Sequence, residues 1–188
     1  MEQIDPRHLL VKIAQILEKL EIPYFITGGM AVLMWGRPRF TADIDILIEF
    51  KFTDIDKLEV ALSALGEAGY IDKDAMREAL LREGEFNFVD GDTGVKVDFW
   101  ILKKNSFDVI RMKRKVPWNI LGREVYFISP EDLILNKLLW CEESQSSRHL
   151  EDAESVFKIS GDRLDKKYLK LWAEKLNVSE LLRRFIPD

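Results

Sequence analysis

The chain has 188 residues, of which 47% are hydrophobic and 32% are charged, and its formal net charge at pH 7 is −5. This composition excludes disorder for most of the chain, because so many apolar residues at so low a net charge can bury a core. The longest apolar stretches are far below the roughly 20 residues that a membrane span needs. With one cysteine and two histidines and no secretory signal pattern, we expect a cytoplasmic protein without disulfides or a Cys/His metal site.

The charges are dense, and asparagine and glutamine are sparse, which is typical of thermophilic proteins. The acidic balance argues against coating of nucleic acid regardless of sequence. Two basic groups stand out: Arg37 with Arg39, and a larger run between Lys103 and Lys115. The simplest interpretation of the larger run is a solvated surface.

The first two thirds of the chain predict alternating helices and strands. Leucines and isoleucines at helical spacing predict an amphipathic helix over 5–20, and the alternation after Asp43 predicts a strand. The predicted helices cover 5–20, 30–35, 54–68 and 74–82, and the predicted strands cover 24–26, 43–50, 85–90, 95–102, 116–120 and 124–128.

The pattern changes at Ser129, which is followed by Pro130 and two acidic residues. This is a helix start with a capping serine and a proline in the first turn. Helices are predicted near 130–142, 147–159, 163–176 and 178–185. The expected fold class is therefore α/β (α+β): a mixed β-sheet with flanking helices over 1–128, and a helical C-terminal subdomain over 129–188.

A pair of glycines joins the strand at 24–26 to a short helix, in the order Thr27, Gly28, Gly29, Met30. Glycines at this place let a ligand approach the backbone, and free amides at a helix start attract phosphate. The alternative interpretation is an ordinary turn.

Two aspartates alternate with isoleucines in the predicted strand over 43–50. Asp43 and Asp45 should share one face, while Ile44, Ile46 and Ile48 should face the core. Neighbouring carboxylates repel each other unless a cation lies between them, and oxygen ligands suit Mg²⁺. The alternatives are an exposed strand end or salt bridges to nearby basic side chains.

A third aspartate, Asp98, lies within an otherwise apolar strand, on the same face as Lys96 and Trp100. A carboxylate there is costly when it is buried without a partner. Beside Asp43 and Asp45 it would complete a set of three carboxylates for two divalent ions. The alternative is a simple ion pair with Lys96.

These features follow one another in a specific order: a glycine pair, then Asp43-Ile44-Asp45 on a strand, then Asp98 on a later strand. In this order the chain resembles the nucleotidyltransferase superfamily that includes DNA polymerase β. Within that superfamily the chain resembles the prokaryotic AbiEii-type group. The resemblance lies in the stretch over 28–45, in Lys137 of one C-terminal helix and in Arg148 and Asp152 of the next. The resemblance implies a metal-dependent nucleotidyltransferase that moves an NMP from an NTP to an acceptor: RNA, a protein hydroxyl or a small molecule. The alternative is a non-catalytic nucleotide-binding or toxin–antitoxin interaction protein with the same fold.

The resemblance also implies roles for individual residues. Asp43, Asp45 and Asp98 would be catalytic and would hold two Mg²⁺ or Mn²⁺ ions, and Asp98 could take the acceptor proton. The nucleotide-binding residues would be Gly28, Gly29, Arg39, Thr41, Lys137, Arg148 and Asp152. The partners would be the NTP, the acceptor and an antitoxin-type protein, with no membrane.

The other reactive or aromatic residue types are predicted to be structural. For Lys137 the alternative to triphosphate binding is an exposed helix position. His8 and His149 are interpreted as surface or capping residues, and Cys141 as a small apolar residue of a helix. Trp100 shares the face of Asp98 and could instead stack on a base.

Overall fold

The computed structural model describes residues 5–66 and 68–186. Most of the predicted helices and strands are present within a residue or a few of the expected bounds. The helices are α1 Pro6–Lys19, α2 Gly28–Trp35, α3 Ile55–Ser63, α4 Lys73–Arg82, α5 Ser106–Lys113, α6 Pro130–Ser144, α7 Ser147–Ser160, α8 Lys166–Lys175 and α9 Ser179–Leu182. The strands are β1 Tyr24–Ile26, β2 Ile44–Ile48, β3 Tyr70–Ile71, β4 Glu85–Val89, β5 Lys96–Ile101, β6 Val116–Ile120 and β7 Arg123–Phe127.

The described strands form one seven-stranded sheet in the order β3-β4-β5-β2-β1-β7-β6. The pairings of β2 with β5 and of β1 with β7 are parallel, and the remaining pairings are antiparallel. This mixed sheet with flanking helices confirms the predicted fold class. No helix in the part of the chain that the structure describes is long and apolar enough to span a membrane.

The chain divides into two compact units. The first unit comprises Met1–Met30 and Thr41–Phe127, and the second comprises Ala31–Phe40 and Ile128–Asp188. Helix α2 therefore begins in the first unit and ends in the second. The division into 1–128 and 129–188 stays a prediction, and the structure adds that the segment 31–40 packs with the C-terminal helices.

The core of the first unit is built around β2. Ile44, Ile46 and Ile48 are fully buried, as the alternation predicts, and Leu47 on the opposite face is 3% exposed. A strand buried on both faces is typical of the centre of a sheet that has helices on each side. In β2, Asp45 is therefore a polar residue in an apolar strand.

Two elements were missed in the sequence, and one of them changes the interpretation of the basic run. Helix α5 begins after Asn105, whose side chain accepts a hydrogen bond from the Asp108 amide at 2.8 Å. Arg111 on this helix is buried and pairs with Asp108 at 2.9 Å. The prediction that the run between Lys103 and Lys115 is solvated surface is therefore wrong for Arg111. The other missed element is the two-residue strand β3.

The second unit begins with the predicted helix start. The Ser129 hydroxyl accepts a hydrogen bond from the Asp132 amide at 3.2 Å, and Pro130 is the first residue of α6. The indole N–H of Trp35 donates to the Ile128 carbonyl at 2.9 Å. These contacts fix the end of α2 and the start of α6 within the same unit.

Truncation of Ile46 tests the packing of the central strand. We expect Ile46→Ala to lower the free energy of unfolding by about 2–5 kcal/mol, because the lost methylenes leave a cavity, and Ile46→Val by only about 0.5–1.5 kcal/mol. Urea denaturation followed by circular dichroism measures both values. Equal stability of Ile46→Ala and the wild-type chain would contradict the burial of this face.

Candidate active site

The glycine pair lies at the start of α2 and is in close contact with Asp45. Gly28 has a φ of +59°, and a Cβ built on it would lie 1.8 Å from the Asp45 Oδ2 atom. Only glycine satisfies both the backbone conformation and this approach. The carboxylate of Asp45 is therefore held against the N-terminal backbone of a helix, where the helix dipole favours negative charge.

The second glycine makes room for a hydroxyl group. A Cβ on Gly29 would lie 2.2 Å from Thr41 Oγ1, and that hydroxyl also lies 3.4 Å from the Asp43 carbonyl, to which it donates. The hydroxyl of Thr27, just before the glycines, is buried and has no hydrogen-bond partner among residues 5–66 and 68–186. The turn thus holds a buried hydroxyl group that the described residues leave without a partner.

The carboxylates of Asp45 and Asp98 belong to neighbouring parallel strands. The two residues are register partners in β2 and β5, so their side chains leave the same face of the sheet from strands about 4.8 Å apart. The Trp100 indole N–H donates to Asp45 Oδ1 at 3.4 Å. Asp43 is exposed and lies one residue before β2, not within the strand as expected.

A lysine from the same strand neutralises Asp98. The Lys96 ammonium lies 2.8 Å from Asp98 Oδ1, and the Asp98 side chain is 12% exposed. This contact is the ion pair that the sequence offered as the alternative for Asp98. The hydrogen bond to Asp98 raises the pKa of Lys96, and the charges of Asp98, Asp43 and Glu85 act in the same direction.

Glu85 is a fourth carboxylate near this face, and sequence reasoning missed it. Glu85 pairs with Trp100 across β4 and β5. Partial burial raises the pKa of Glu85, and the negative charges of Asp98 and Asp45 raise it further. The sequence did contain a signal for Glu85, namely the register of the β4–β5 hairpin. This register pairs Asn87 with Asp98 and Glu85 with Trp100, so Glu85 lies on the face of Asp98.

The donor chemistry of this face fits a hard divalent cation. Carboxylate oxygens from Asp45 and Asp98 are the ligands that Mg²⁺ or Mn²⁺ prefers, and a cation would relieve the repulsion among the carboxylates of this face. In the described part of the chain, however, no three Asp, Glu, His or Cys side chains are gathered as a ligand set. The Lys96 ammonium lies against one oxygen of Asp98 and would compete with a metal ion for that oxygen.

The second unit contains a separate charge cluster around Asp152 of α7. Arg39 donates to both oxygens of Asp152 through Nε at 2.7 Å and Nη2 at 2.8 Å, and the Lys137 ammonium lies 3.0 Å from Oδ2. Asp152 and Lys137 are 3% and 2% exposed. The alternative that Lys137 is an exposed helix residue is therefore wrong.

The charges of this cluster shift the pKa of its members. Burial acts to raise the pKa of Asp152, but the hydrogen bonds from Arg39 and the charge of Lys137 outweigh it, so the pKa is lowered. Burial lowers the pKa of His149, and the charge of Lys137 lowers it further. The ring centroid of His149 lies 5.4 Å from that of Trp140, and this histidine is half-buried, not on the surface.

The segment before Arg39 is packed against α7 by small groups. A Cβ on Gly36 would lie 2.6 Å from the Ser155 hydroxyl oxygen, which accepts a hydrogen bond from the Arg37 amide at 3.2 Å. Arg148, one turn before Asp152, is exposed and forms no ion pair with the described residues. Three basic residues are predicted to bind nucleotide. Arg39 and Lys137 are held by Asp152, whereas Arg148 is exposed.

Solved structures with the nucleotidyltransferase fold superpose on this chain over nearly its whole length. The antibiotic-resistance factor ANT(2'')-Ia, in its solution structure, gives a TM-score of 0.59 at 17% identity, with 95% of this chain and 96% of that chain covered. A nucleotidyltransferase-like protein from Paracoccidioides brasiliensis gives 0.55 at 18% identity, with 97% and 96% covered. The lincomycin-bound lincosamide adenylyltransferase LnuA gives 0.54 at 14% identity, with 83% and 98% covered. These likenesses define the fold class as that of a nucleotidyltransferase.

The family follows from the sequence. The model of the nucleotidyl transferase AbiEii toxin family, of type IV toxin–antitoxin systems, matches residues 14–183, and the chain belongs to this family. The resemblance deduced from the glycine pair and the aspartates is thereby confirmed, and the chain is a nucleotidyltransferase. No curated protein matches the chain in sequence.

Asp45, Asp98 and Glu85 lie on one face of the sheet, the carboxylate face. Neutralisation of Glu85 tests the electrostatics of this face. Because the folded pKa of Glu85 is raised, its ionised form destabilises the fold at neutral pH, and this penalty disappears as the pH falls towards the unfolded value of 4.5. We expect Glu85→Gln to raise the melting temperature at pH 7 and to lose this gain towards pH 4. Thermal melts across this range measure the effect, and Glu83→Gln is the matched control. A gain that does not depend on pH would contradict the prediction.

Separate removal of the two buried partners tests the cluster of the second unit. Asp152→Asn removes the buried carboxylate charge that both Arg39 and Lys137 contact, so we expect a loss of about 3–5 kcal/mol of unfolding free energy. Lys137→Met should cost less, because Asp152 keeps both hydrogen bonds from Arg39. Because the pKa of Asp152 is lowered in the folded chain, its ionised carboxylate stabilises the fold at neutral pH. This stabilisation is lost as the pH falls below the usual pKa of an aspartate. Denaturant titrations at pH 7 and pH 3 measure both effects, and a larger loss for Lys137→Met would refute this ranking.

Proposed function

We propose that the chain uses a divalent metal ion to transfer a nucleoside monophosphate from an NTP to a hydroxyl group of an acceptor. The observation that carries this proposal is the register of Asp45 with Asp98, with the Asp45 carboxylate held against Gly28 at the start of α2. Carboxylates and a helix N-terminus then lie next to each other. This is the pair of features that a metal-bound triphosphate requires.

The turn formed by Gly28 and Gly29 at the start of α2, the glycine turn, is proposed to bind the phosphates. The first amides of α2 have no partners within their own helix, and an anion can accept hydrogen bonds from them. The absence of side chains at Gly28 and Gly29 lets the phosphates approach the backbone. The Thr41 hydroxyl, which lies beside Gly29, would donate to a phosphate oxygen.

The carboxylates are proposed to hold the metal and to accept a proton. Asp43 and Asp45 would hold two Mg²⁺ or Mn²⁺ ions, and Asp98 would share one of them. Such ions, when bound, neutralise the charge that develops on the phosphates. The acceptor oxygen forms a bond to the α-phosphorus, the bond from that phosphorus to the bridging oxygen breaks, and pyrophosphate leaves. The acceptor proton goes to a carboxylate oxygen of Asp98.

Arg39, Lys137 and Arg148 are proposed to bind the nucleotide and to neutralise its charge. Arg148 is exposed and carries a planar fork of donors that suits phosphate. Asp152 holds Arg39 by two hydrogen bonds, so its proposed role is to orient the guanidinium group that contacts the nucleotide. Lys137 would add a second positive charge to the same cluster.

A second candidate function is that of a non-catalytic nucleotide-binding protein or a toxin–antitoxin interaction protein with the same fold. The ion pair between Lys96 and Asp98 favours this candidate, because it neutralises a proposed metal ligand. A non-catalytic nucleotide-binding protein would also bind nucleotide, but only the first candidate predicts release of pyrophosphate.

Transfer by the unaltered chain separates the two candidates, and Asp45→Asn tests the proposed metal site. The variant keeps the size of the side chain but removes one charge from the metal site, so we expect transfer to fall by at least about 10²-fold. The assay incubates the protein with each α-labelled NTP and Mg²⁺ or Mn²⁺ and follows label transfer and pyrophosphate release. Asp92→Asn, in the exposed turn between β4 and β5, is the matched control and should retain activity.

The acceptor is identified by dividing the same assay into three arms: total tRNA, cell protein and tobramycin. The tobramycin arm is included because the ANT(2'')-Ia neighbour was solved with adenylyl-2''-tobramycin. Nucleotide binding by calorimetry with no label transfer in any arm would favour the non-catalytic candidate. Absence of both binding and transfer, with the fold intact, would refute both candidates.

A further inference from the structure

A cavity of about 580 Å³ lies in the first unit, at the end of the sheet away from the proposed active site. It is bounded by the chain that follows β2, the chain that follows β5, the end of α4 and helix α5. Asp45 is the second residue of β2 and the cavity begins at Glu49, so the two places are about 13 Å apart along the strand. The cavity belongs to neither the glycine turn nor the carboxylate face.

The size and place of the cavity suit a small molecule. Strands β2 and β5 are adjacent and parallel, and the cavity lies just beyond their carboxyl ends. The volume is also within the range of about 300–1,000 Å³ that is typical of small-molecule sites.

The walls of the cavity are apolar. Phe50 contributes from the chain that follows β2, Ile101 from the end of β5, Leu80 from α4 and Met112 from α5. Phe50, Ile101 and Met112 are buried in the first unit. These side chains would contact the apolar body of a ligand and remove it from water.

The rim of the cavity carries an excess of positive charge. Four exposed lysines, Lys51, Lys103, Lys104 and Lys113, line it together with the two glutamates Glu49 and Glu83. Within residues 5–66 and 68–186, none of these lysines forms an ion pair. The rim therefore favours one anionic group, whereas the two glutamates disfavour a second negative charge.

We infer that this cavity binds an amphipathic monocarboxylate, with its apolar chain among the wall residues and its carboxylate among the rim lysines. The site is independent of nucleotide transfer and goes beyond the proposed function. A neutral alcohol of the same length lacks the charge that the lysines attract, and a cationic amphiphile is repelled by them. Selectivity for the anion is what distinguishes this site from an apolar surface without specificity.

The test is calorimetric titration of the full chain with decanoate, decanol and decyltrimethylammonium at low salt. Decanoate is expected to bind with a stoichiometry of one, at least about fivefold tighter than decanol, and the cation is expected not to bind. Equal binding of decanoate and decanol would overturn the proposal, as would the absence of decanoate binding.

Matched variants locate the binding to the cavity. Leu80→Gln should weaken decanoate by about tenfold, because it places a polar group in the wall, whereas Leu81→Gln on the exposed side of α4 should leave binding unchanged. The double variant Lys103→Glu with Lys104→Glu should abolish the preference for the anion, and Lys57→Glu on α3 is its control. Thermal melts verify that the variants fold.

Two results from the variants would overturn the proposal. One is equal decanoate affinity in the Leu80→Gln and Leu81→Gln chains when both are folded. The other is dimerisation of the wild-type chain that Leu80→Gln abolishes, since the cavity would then be covered by a second copy. Neither result depends on whether the chain transfers nucleotides, so this test and that of the proposed function fail separately.

Discussion

The parallel pairing of β2 with β5 is the constraint on which the candidate site depends. Five consecutive residue pairs fix the register from Ile44 with Val97 to Ile48 with Ile101. A shift by one residue would turn the buried isoleucines of β2 towards the polar face and would separate Asp45 from Asp98. The free energy that holds the two carboxylates together therefore comes from the apolar face of the same strands, which is why charge repulsion at the site can be tolerated.

The same register explains why the carboxylate face carries its own counter-charge. Asp98 is nearly buried, and an unpaired carboxylate there would be costly. Lys96, two residues earlier on β5, lies on the same face and forms the ion pair. The proposed metal ion would compete with this lysine, so the free energy of metal binding is reduced by the cost of releasing the ammonium. We expect a bound NTP to favour the exchange, because its phosphates attract both the metal ion and the displaced lysine.

Local signals in the sequence predicted the elements, but not their spatial order. The glycine pair, the alternating isoleucines of β2 and the cap at Ser129 each act within a few residues, so helices and strands could be located closely. The sheet order arises from pairings between distant residues, and no local pattern encodes it. Helix α5 was missed because its basic residues suggested surface, although Asn105 was present as a cap. Lys137 was ambiguous because its burial depends on Asp152, which lies on another helix, and Glu85 was missed because only the hairpin register reveals its position.

The cluster around Asp152 shows how a buried charge can serve the fold and a ligand together. Arg39 and Lys137 both contact the Asp152 carboxylate, so these two cations are held in place before any ligand binds. A stability role alone explains such a cluster poorly, because replacement of buried ion pairs by apolar residues is often neutral or stabilising. Cations that are already held suit an anionic ligand, since their side chains lose little further freedom on binding. If a triphosphate binds at this cluster, the stability of the second unit should rise with the NTP concentration, because a ligand that binds only the folded chain stabilises it.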